Sequence, residues 1–358
     1  MTTVEFIGMI APQEYSETRS PAGPPVDPAF TRAFARAHED AGFDRVLIGY
    51  FSTAPDGMIV ASHVLDHTER LGVLLAHRPG FVAPTVAARQ MATLDQFSGG
   101  RLAVHIITGG DDADLARDGD GLDKVTRYRR TDEYVGLLRR VWTAREPFDH
   151  DGEFYRLRAA YSAVKCVTEP HLPVYFGGSS DDAIDVSAKH ADVYALWGEP
   201  LADTAAHIER VKAAAAGHGR SPRISLSLRP ILGATDDEAW TRAHHILDTI
   251  RSRAKGSPPP PPANVGSQRL LAAAARGDVL DRCLFTPLAT ASGARGNSTA
   301  VVGSVETVAL ALLDYYDIGV TTFLIRGYDP LDDAVDYGRL VALVREEVAR
   351  RVQRAAAI

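Results

Sequence analysis

The sequence predicts an α/β protein and, within that class, a (β/α)8 TIM barrel with an inserted lid segment between strands seven and eight. Three observations carry this reading. Eight short β-rich runs are spread along the 358 residues, and helical patterns separate most of them, which implies βαβ units and a parallel sheet. A chain of this length suits one barrel with insertions. The first run is followed by Ala11-Pro12-Gln13, not by the glycine-rich fingerprint of an open dinucleotide-binding sheet.

The elements follow in order. Val4–Ile10 is the first strand; a Pro-rich loop over Pro12–Val26 and a helix over Asp27–Gly42 come next. Arg45–Gly49 is the second strand and Leu71–Ala76 the third. The stretch from Ala83 to Gly110 is the most informative. Val86, Ala87, Met91, Leu94 and Phe97 recur at helical spacing over Thr85–Phe97, and Ser98-Gly99-Gly100 closes the helix, since glycine accepts the left-handed turn there. Leu102–Thr108 then runs as a buried strand into Gly109-Gly110. A helix over Tyr128–Thr143 precedes a β-hairpin over Glu146–Tyr161, turning at Asp151-Gly152. Strands at Val174–Gly177, Val193–Trp197 and Ile224–Leu232 alternate with helices at Asp181–His190, Ala202–Gly217 and Asp236–Ser252. The insertion, about 255–298, holds the prolines Pro258–Pro262 and a short Ala-rich helix; loops this long at a barrel's catalytic face act as mobile lids. A helix at Val305–Gly319 and a strand at Thr321–Ile325 complete the pattern. The whole chain, 1–358, reads as a single barrel domain with a hairpin excursion and a lid.

Composition narrows the function. A net charge of −7 argues against a nucleic-acid surface, which needs a basic patch. No run of 18 apolar residues is found, and the opening MTTVEFIGMIAP has no basic leader region, which points to the cytoplasm and away from membranes. Cys166 and Cys283 stand far apart and read as free thiols. His63 and His67 lie four apart on a helix, but no catalytic Glu and no third ligand accompany them, so no metal is expected. A nucleophile elbow and a phosphate-binding Walker loop are both lacking.

Four positions carry chemistry. Phe176-Gly177-Gly178-Ser179-Ser180 ends a strand and opens a helix, so its backbone N–H groups and two hydroxyls can hold a phosphate; alternatively Ser180 only caps the helix, and Asp181-Asp182 would repel an anion. His77-Arg78 follows the third strand, where Arg78 either faces the barrel mouth or makes a surface pair. Trp197 ends the sixth strand and either walls a flat ligand or packs at the rim. Arg229 stands in the apolar strand SLSLRPIL, where a buried guanidinium needs an anionic partner, a protein carboxylate or a ligand.

The residues together resemble the bacterial luciferase-like flavin-dependent monooxygenases, and within them the alkanesulfonate monooxygenase group. The resemblance is carried by RPGFVAPTVAARQMATLDQFSGGR (78–101), ITGG (107–110), RYRRTDEY (127–134), PVYFGGSS (173–180), ADVYALWGEP (191–200), TDDEAW (235–240), NSTAVVGS (297–304) and LIRGYDP (324–330). It implies a TIM barrel, reduced FMN (FMNH2) from a separate flavin reductase, O2 as co-substrate, and a homo-oligomer, dimer or tetramer. It implies oxidative C–S cleavage of an alkanesulfonate-like organosulfur compound to sulfite and an aldehyde. A relative oxidising a sulfone, amine or heterocycle, or a non-catalytic flavin-binding protein, is the alternative.

By position, the resemblance places Thr108 by the flavin ring and Tyr128, Ser179 and Ser180 by the FMN phosphate. Trp197 and His77 join the flavin-binding set; Arg229, Arg295 and Tyr328 are the catalytic candidates. The chain departs from the group at several points. Ala54 stands where the group has a cysteine, Ser227-Leu228-Arg229 replaces Arg-x-His, and Pro12 or Gln13 falls where a histidine is expected. A guanidinium cannot act as a base near neutral pH, so Arg229 is expected to be an electrostatic anchor.

Overall fold

The structure is a computed structural model that describes residues 4–254, 262–296 and 298–356. In chain order, β1 (Glu5–Ile10), α1 (Pro28–Asp40), β2 (Arg45–Ile48), α2 (Gly57–Asp66), β3 (Gly72–His77), α3 (Pro84–Ser98) and β4 (Leu102–Ile106) come first. They are followed by α4 (Asp112–Arg117), α5 (Lys124–Thr143), the pair β5 (Phe148–Asp151) and β6 (Arg156–Ala160), β7 (Val174–Gly177), α6 (Asp181–His190), β8 (Val193–Trp197) and α7 (Leu201–Ala216). The last part holds β9 (Arg223–Leu232), α8 (Asp236–Arg253), α9 (Val265–Ala274), β10 (Val279–Leu280), β11 (Leu284–Phe285), α10 (Pro287–Ser292), β12 (Ala300–Gly303), α11 (Val305–Asp317), β13 (Val320–Ile325) and α12 (Pro330–Ala356).

Strands β1, β2, β3, β4, β7, β8, β9 and β13 pair in that order, and β8 and β13 both pair with β9 and β1 respectively to close the ring, so the fold is the α/β TIM barrel expected. The eight expected strands are the eight observed. The insertion carries two short strands, β10 and β11, and β12 follows directly after it and joins β9 in parallel, Ala300 beside Arg229 through Gly303 beside Leu232, three strands beyond the eight expected. The reading also lacked α4, α10 and the long α12, and it began α5 at Tyr128 where Asp123 caps a helix that starts at Lys124. Residues 255–261, most of the proline run, lie outside the described residues.

Contacts divide the chain into two units, one of Met1–Val46, Ala195–Val211 and Arg223–Ile358, the other of Leu47–Tyr194 and Lys212–Pro222. In the first, β1 pairs with β13 and β13 with the N-terminal half of β9, and Phe6 meets Phe323 with ring centres 5.8 Å apart. Local signals fix the helix starts: Asp27 accepts from the amides of Ala29 and Phe30 ahead of Pro28. Thr235 accepts from Glu238 N at 3.2 Å while Glu238 reaches back to Ala234 N at 3.1 Å, a reciprocal cap. In the second, β3, β4 and β7 pair in parallel. Gly99 ends α3 with φ +65, as its sequence predicts. The hairpin forms as expected, and Glu133 on α5 pins its turn by accepting from Phe154 N at 2.9 Å and Tyr155 N at 3.0 Å.

Each unit buries a histidine. His38 on α1 holds Phe34 O through Nδ1 at 2.8 Å and fills space that a β-carbon on Gly8 would occupy. His77 places Nε2 2.8 Å from the Tyr134 hydroxyl. Burial lowers each imidazole to about 4, so both are neutral at physiological pH. The unfolded chain takes up these two protons near pH 6.5 while the folded chain refuses them until about pH 4. Stability fully present above pH 6.5 is therefore lost as pH falls through that window, with a slope of about 2.7 kcal/mol per pH unit from the two groups. Denaturant unfolding followed from pH 7 to 4.5 should show this decline, to which His105, lowered by burial to about 4 in the same way, adds, and His38→Gln should make it shallower without abolishing it. A flat profile would refute two neutral buried imidazoles.

Candidate functional site

Two clusters, one in each unit, gather most of the sequence-predicted positions. In the second unit β7 ends at Gly177, and Gly178 takes φ +146, a conformation that side chains disfavour. A β-carbon there would lie 2.6 Å from that of Ala183, so glycine is what lets the chain turn into α6. The Tyr194 hydroxyl donates to Gly178 O at 2.7 Å and fixes the turn. Ser180 is the N-cap residue of α6, yet its hydroxyl makes no capping bond to the first turn. It meets the Tyr128 hydroxyl instead. Burial raises the Tyr128 phenol, against hydrogen bonds with Ser180 and Thr108 that pull it down. Thr108, Tyr128 and Ser180 are thus brought together, with the partly buried Ser179 next in the chain.

The start of α6 carries partial positive charge and amides unpaired within the helix, which with the nearby hydroxyls suits a phosphate. Asp181 and Asp182 in the first turn oppose an anion, as the sequence suggested. His77 turns its ring to the Tyr134 hydroxyl, and its carbonyl accepts from Ile107 N at 3.0 Å, next to Thr108. Arg78 is buried and pairs with Asp114, its guanidinium 4.7 Å from the Tyr50 ring centre. Asp114 also accepts from Ser52 N and Oγ, and burial, which would raise its carboxyl, is outweighed by Ser52 and Arg78. Arg78 therefore makes an internal pair, not the surface pair considered from sequence.

In the first unit Arg229 is 2% exposed. Its Nη1 lies 2.9 Å from Glu17 Oε1 and its Nη2 3.0 Å from Glu17 Oε2, while Nη2 also donates to Gly327 O at 2.8 Å. The guanidinium stacks on the Tyr328 ring at 3.5 Å, and Tyr337 donates to Pro230 O at 2.7 Å. Arg326 pairs with the same Glu17. Burial alone would raise the Glu17 carboxyl, but Arg229 and Arg326 bring it down to about 2. The three charged groups line a cavity of about 200 Å³ whose other walls include Met9, Phe34, Pro330 and Ala334.

Of the two partners left open for Arg229, the structure supplies the protein carboxylate. It also supplies a second guanidinium, so the cavity carries two cations against one anion. Glu17 and Arg326 were missed. Arg326 was visible as a cation ending the last strand, within the quoted LIRGYDP; Glu17, in the Pro-rich loop, gave no signal.

Arg295 is exposed beyond α10 and is not part of this cluster. Gly293 and Ala294, with φ +69 and +51, turn the chain just before it. Trp197 packs against the cluster of Leu270, Ala289 and Ala294 in the inserted segment, and a β-carbon on Gly266 would come within 2.9 Å of the indole. The next polar residue, buried Glu199, receives Arg269 of α9 in a two-pronged pair, with Nε–Oε1 at 2.6 Å. Ala54, where the group's cysteine would stand, is exposed. Cys166 and Cys283 are free thiols. Among the described residues no three His, Cys, Asp or Glu gather to hold a metal ion, and no helix is long and apolar enough to cross a membrane.

A sequence profile of the luciferase-like monooxygenase family matches residues 5–322. Solved structures give the same fold at low identity. A riboflavin lyase holding modified FMN and riboflavin superposes with a TM-score of 0.79 at 19% identity, over 97% of this chain and 92% of that one. EDTA monooxygenase from Chelativorans sp. BNC1 gives 0.77 at 16%, over 98% and 94%. DmoA from Hyphomicrobium sulfonivorans gives 0.77 at 18%, over 97% and 89%.

Proposed function

We propose that this chain, which belongs to the luciferase-like monooxygenase family, is the cytoplasmic oxygenase of a two-component system. It takes reduced FMN from a separate reductase and uses O2 to oxidise a small monoanionic organic substrate. An alkanesulfonate-like compound, cleaved at carbon–sulfur to sulfite and an aldehyde, is the first class to test. The observation that carries the substrate reading is the pair of guanidiniums, Arg229 and Arg326, on one largely apolar cavity.

FMN suits the residues of the second unit. Ser180 leaves its hydroxyl uncommitted to capping, Gly178 keeps the turn free of a side chain, and Tyr128 adds a phenol beside it. Tyr128, Ser179 and Ser180 would hold the phosphate and Thr108 the polar edge of the ring. When bound, reduced flavin supplies the electrons that activate O2. The chain's own residues bind, orient and exclude water. Arg229 orients the anionic end of the substrate, and Tyr328 keeps the guanidinium in place by stacking. Neither arginine serves as a base near neutral pH, so their contribution is electrostatic.

The test is oxygen uptake that depends on both reduced FMN and substrate, across sulfonates, sulfones, amines and heterocycles, with sulfite and oxidised products assayed. Anaerobic fluorescence titration should show reduced FMN binding more tightly than oxidised FMN. Equal or reversed affinities would remove reduced flavin as co-substrate, and flavin binding without uptake on any compound would make the chain a flavin-binding protein.

A further inference from the structure

Arg229 on β9 and Arg326 just beyond β13 follow residues paired across the ladder, Leu228 beside Ile325. Two cations held on neighbouring strands repel unless an anion joins them. Glu17 is that anion. It comes from the loop between β1 and α1, receives both Nη groups of Arg229 and pairs with Arg326 through the same carboxylate. This is the planar two-pronged geometry by which a guanidinium binds a ligand carboxylate or sulfonate. Its side chain is 31% exposed and that of Arg326 28%, while Arg229 is sealed, so solvent and ligands reach the carboxylate that joins the two cations. The other charges nearby are committed to each other: Arg19 pairs with Glu14 and Asp329, and Arg242 with Asp329 and Asp333. None of those five lines the cavity.

We propose that Glu17 is a specificity-determining residue that sets the charge number of the ligand in this cavity. With Glu17 in place the cavity has one positive charge in excess, so a monoanion brings it to neutrality and a dianion leaves an uncompensated negative charge in a poorly solvated site. Removal of the Glu17 charge doubles the excess and turns the preference toward dianions. The inference rests on the reading of the cavity as the substrate's anion site, and it goes further by naming the ligand's charge and the residue that selects it.

Methanesulfonate and sulfate are close in shape and differ by one charge, which makes them the probes. Calorimetric titration of the full chain should give wild-type affinity about tenfold or more in favour of methanesulfonate. In Glu17→Gln sulfate should gain at least tenfold and become the preferred anion, while Arg229→Ala should lose both. Should Glu17→Gln fail to fold, Glu17→Asp keeps the charge and must keep the wild-type preference, and the wild-type ratio decides by itself. Preference of the wild type for sulfate, or an unchanged ratio in Glu17→Gln, overturns the charge rule while leaving the anion site standing. Binding that survives Arg229→Ala, or no binding of either anion to wild type, overturns the anion site and the inference with it.

Discussion

Arg229→Ala should lower kcat/KM by roughly 30- to 1000-fold, the equivalent of losing about 2–4 kcal/mol of charge-assisted hydrogen bonding in a desolvated site. The loss has two sources. The substrate's anionic end would lose one of the two positive charges on the cavity, and Glu17, which faces two guanidiniums, would keep only Arg326. Arg229→Lys should recover only part of the rate. An ammonium can reach one carboxylate oxygen, but it cannot serve both oxygens and Gly327 O while lying flat on Tyr328. The deciding comparison is kcat/KM beside the melting temperature for both variants. A large drop in melting temperature with near-normal turnover in the folded fraction would make Arg229 a structural partner of Glu17 and nothing more.

Tyr128→Phe combined with Ser180→Ala should weaken FMN binding by about 100-fold and leave riboflavin binding nearly unchanged. Two hydroxyl contacts to a charged phosphate, at about 1.5–3 kcal/mol each, bring at least this loss, and riboflavin has no phosphate for them to serve. The ratio of the two affinities is the readout, because a general distortion of the second unit would weaken both ligands alike. Equal losses would move the phosphate away from the start of α6. Ser180→Ala by itself costs no capping bond, so its stability cost should be limited to the single hydrogen bond to the Tyr128 hydroxyl, about 0.5–1.5 kcal/mol.

The barrel was legible because its signals are local. The helix ending at Ser98-Gly99-Gly100, the short apolar strands and the hairpin turn all act within a few residues of themselves. The start of α6 was legible for the same reason: glycine, two serines and a helix follow one another directly. The Arg229 cluster was legible by halves. A cation in an apolar strand announces a missing anion, but its partner stands 212 residues away in an irregular loop, and no periodicity connects the two. Arg295 was a positional carry-over across a segment of irregular length, and nothing local anchored it. The long α12 is a different kind of miss. Ala334, Tyr337, Val341, Val344 and Val348 form a buried stripe at spacings of three and four, a helical signal diluted by many charges.

Strand β9 has a consequence beyond its own length. Its residues Ile224–Leu228 are bonded to β13, and its residues Arg229–Leu232 lie alongside β12, with Arg229 N donating to Thr299 O at 3.1 Å. Along the edge of β9 opposite β13, Gly198 N donates to Ser227 O at 2.8 Å and Arg229 N donates to Thr299 O, so Arg229 is the junction where β12 takes over from β8. A junction makes a side chain answerable to segments it never touches. Lengthening or shortening the chain ahead of β12 should loosen or shift this pairing, and amide exchange at Arg229, whose N–H donates to Thr299 O, is the readout. Variation in the inserted segment would thereby reach the backbone that carries the guanidinium through Thr299 and β12, while the strand itself stays the same.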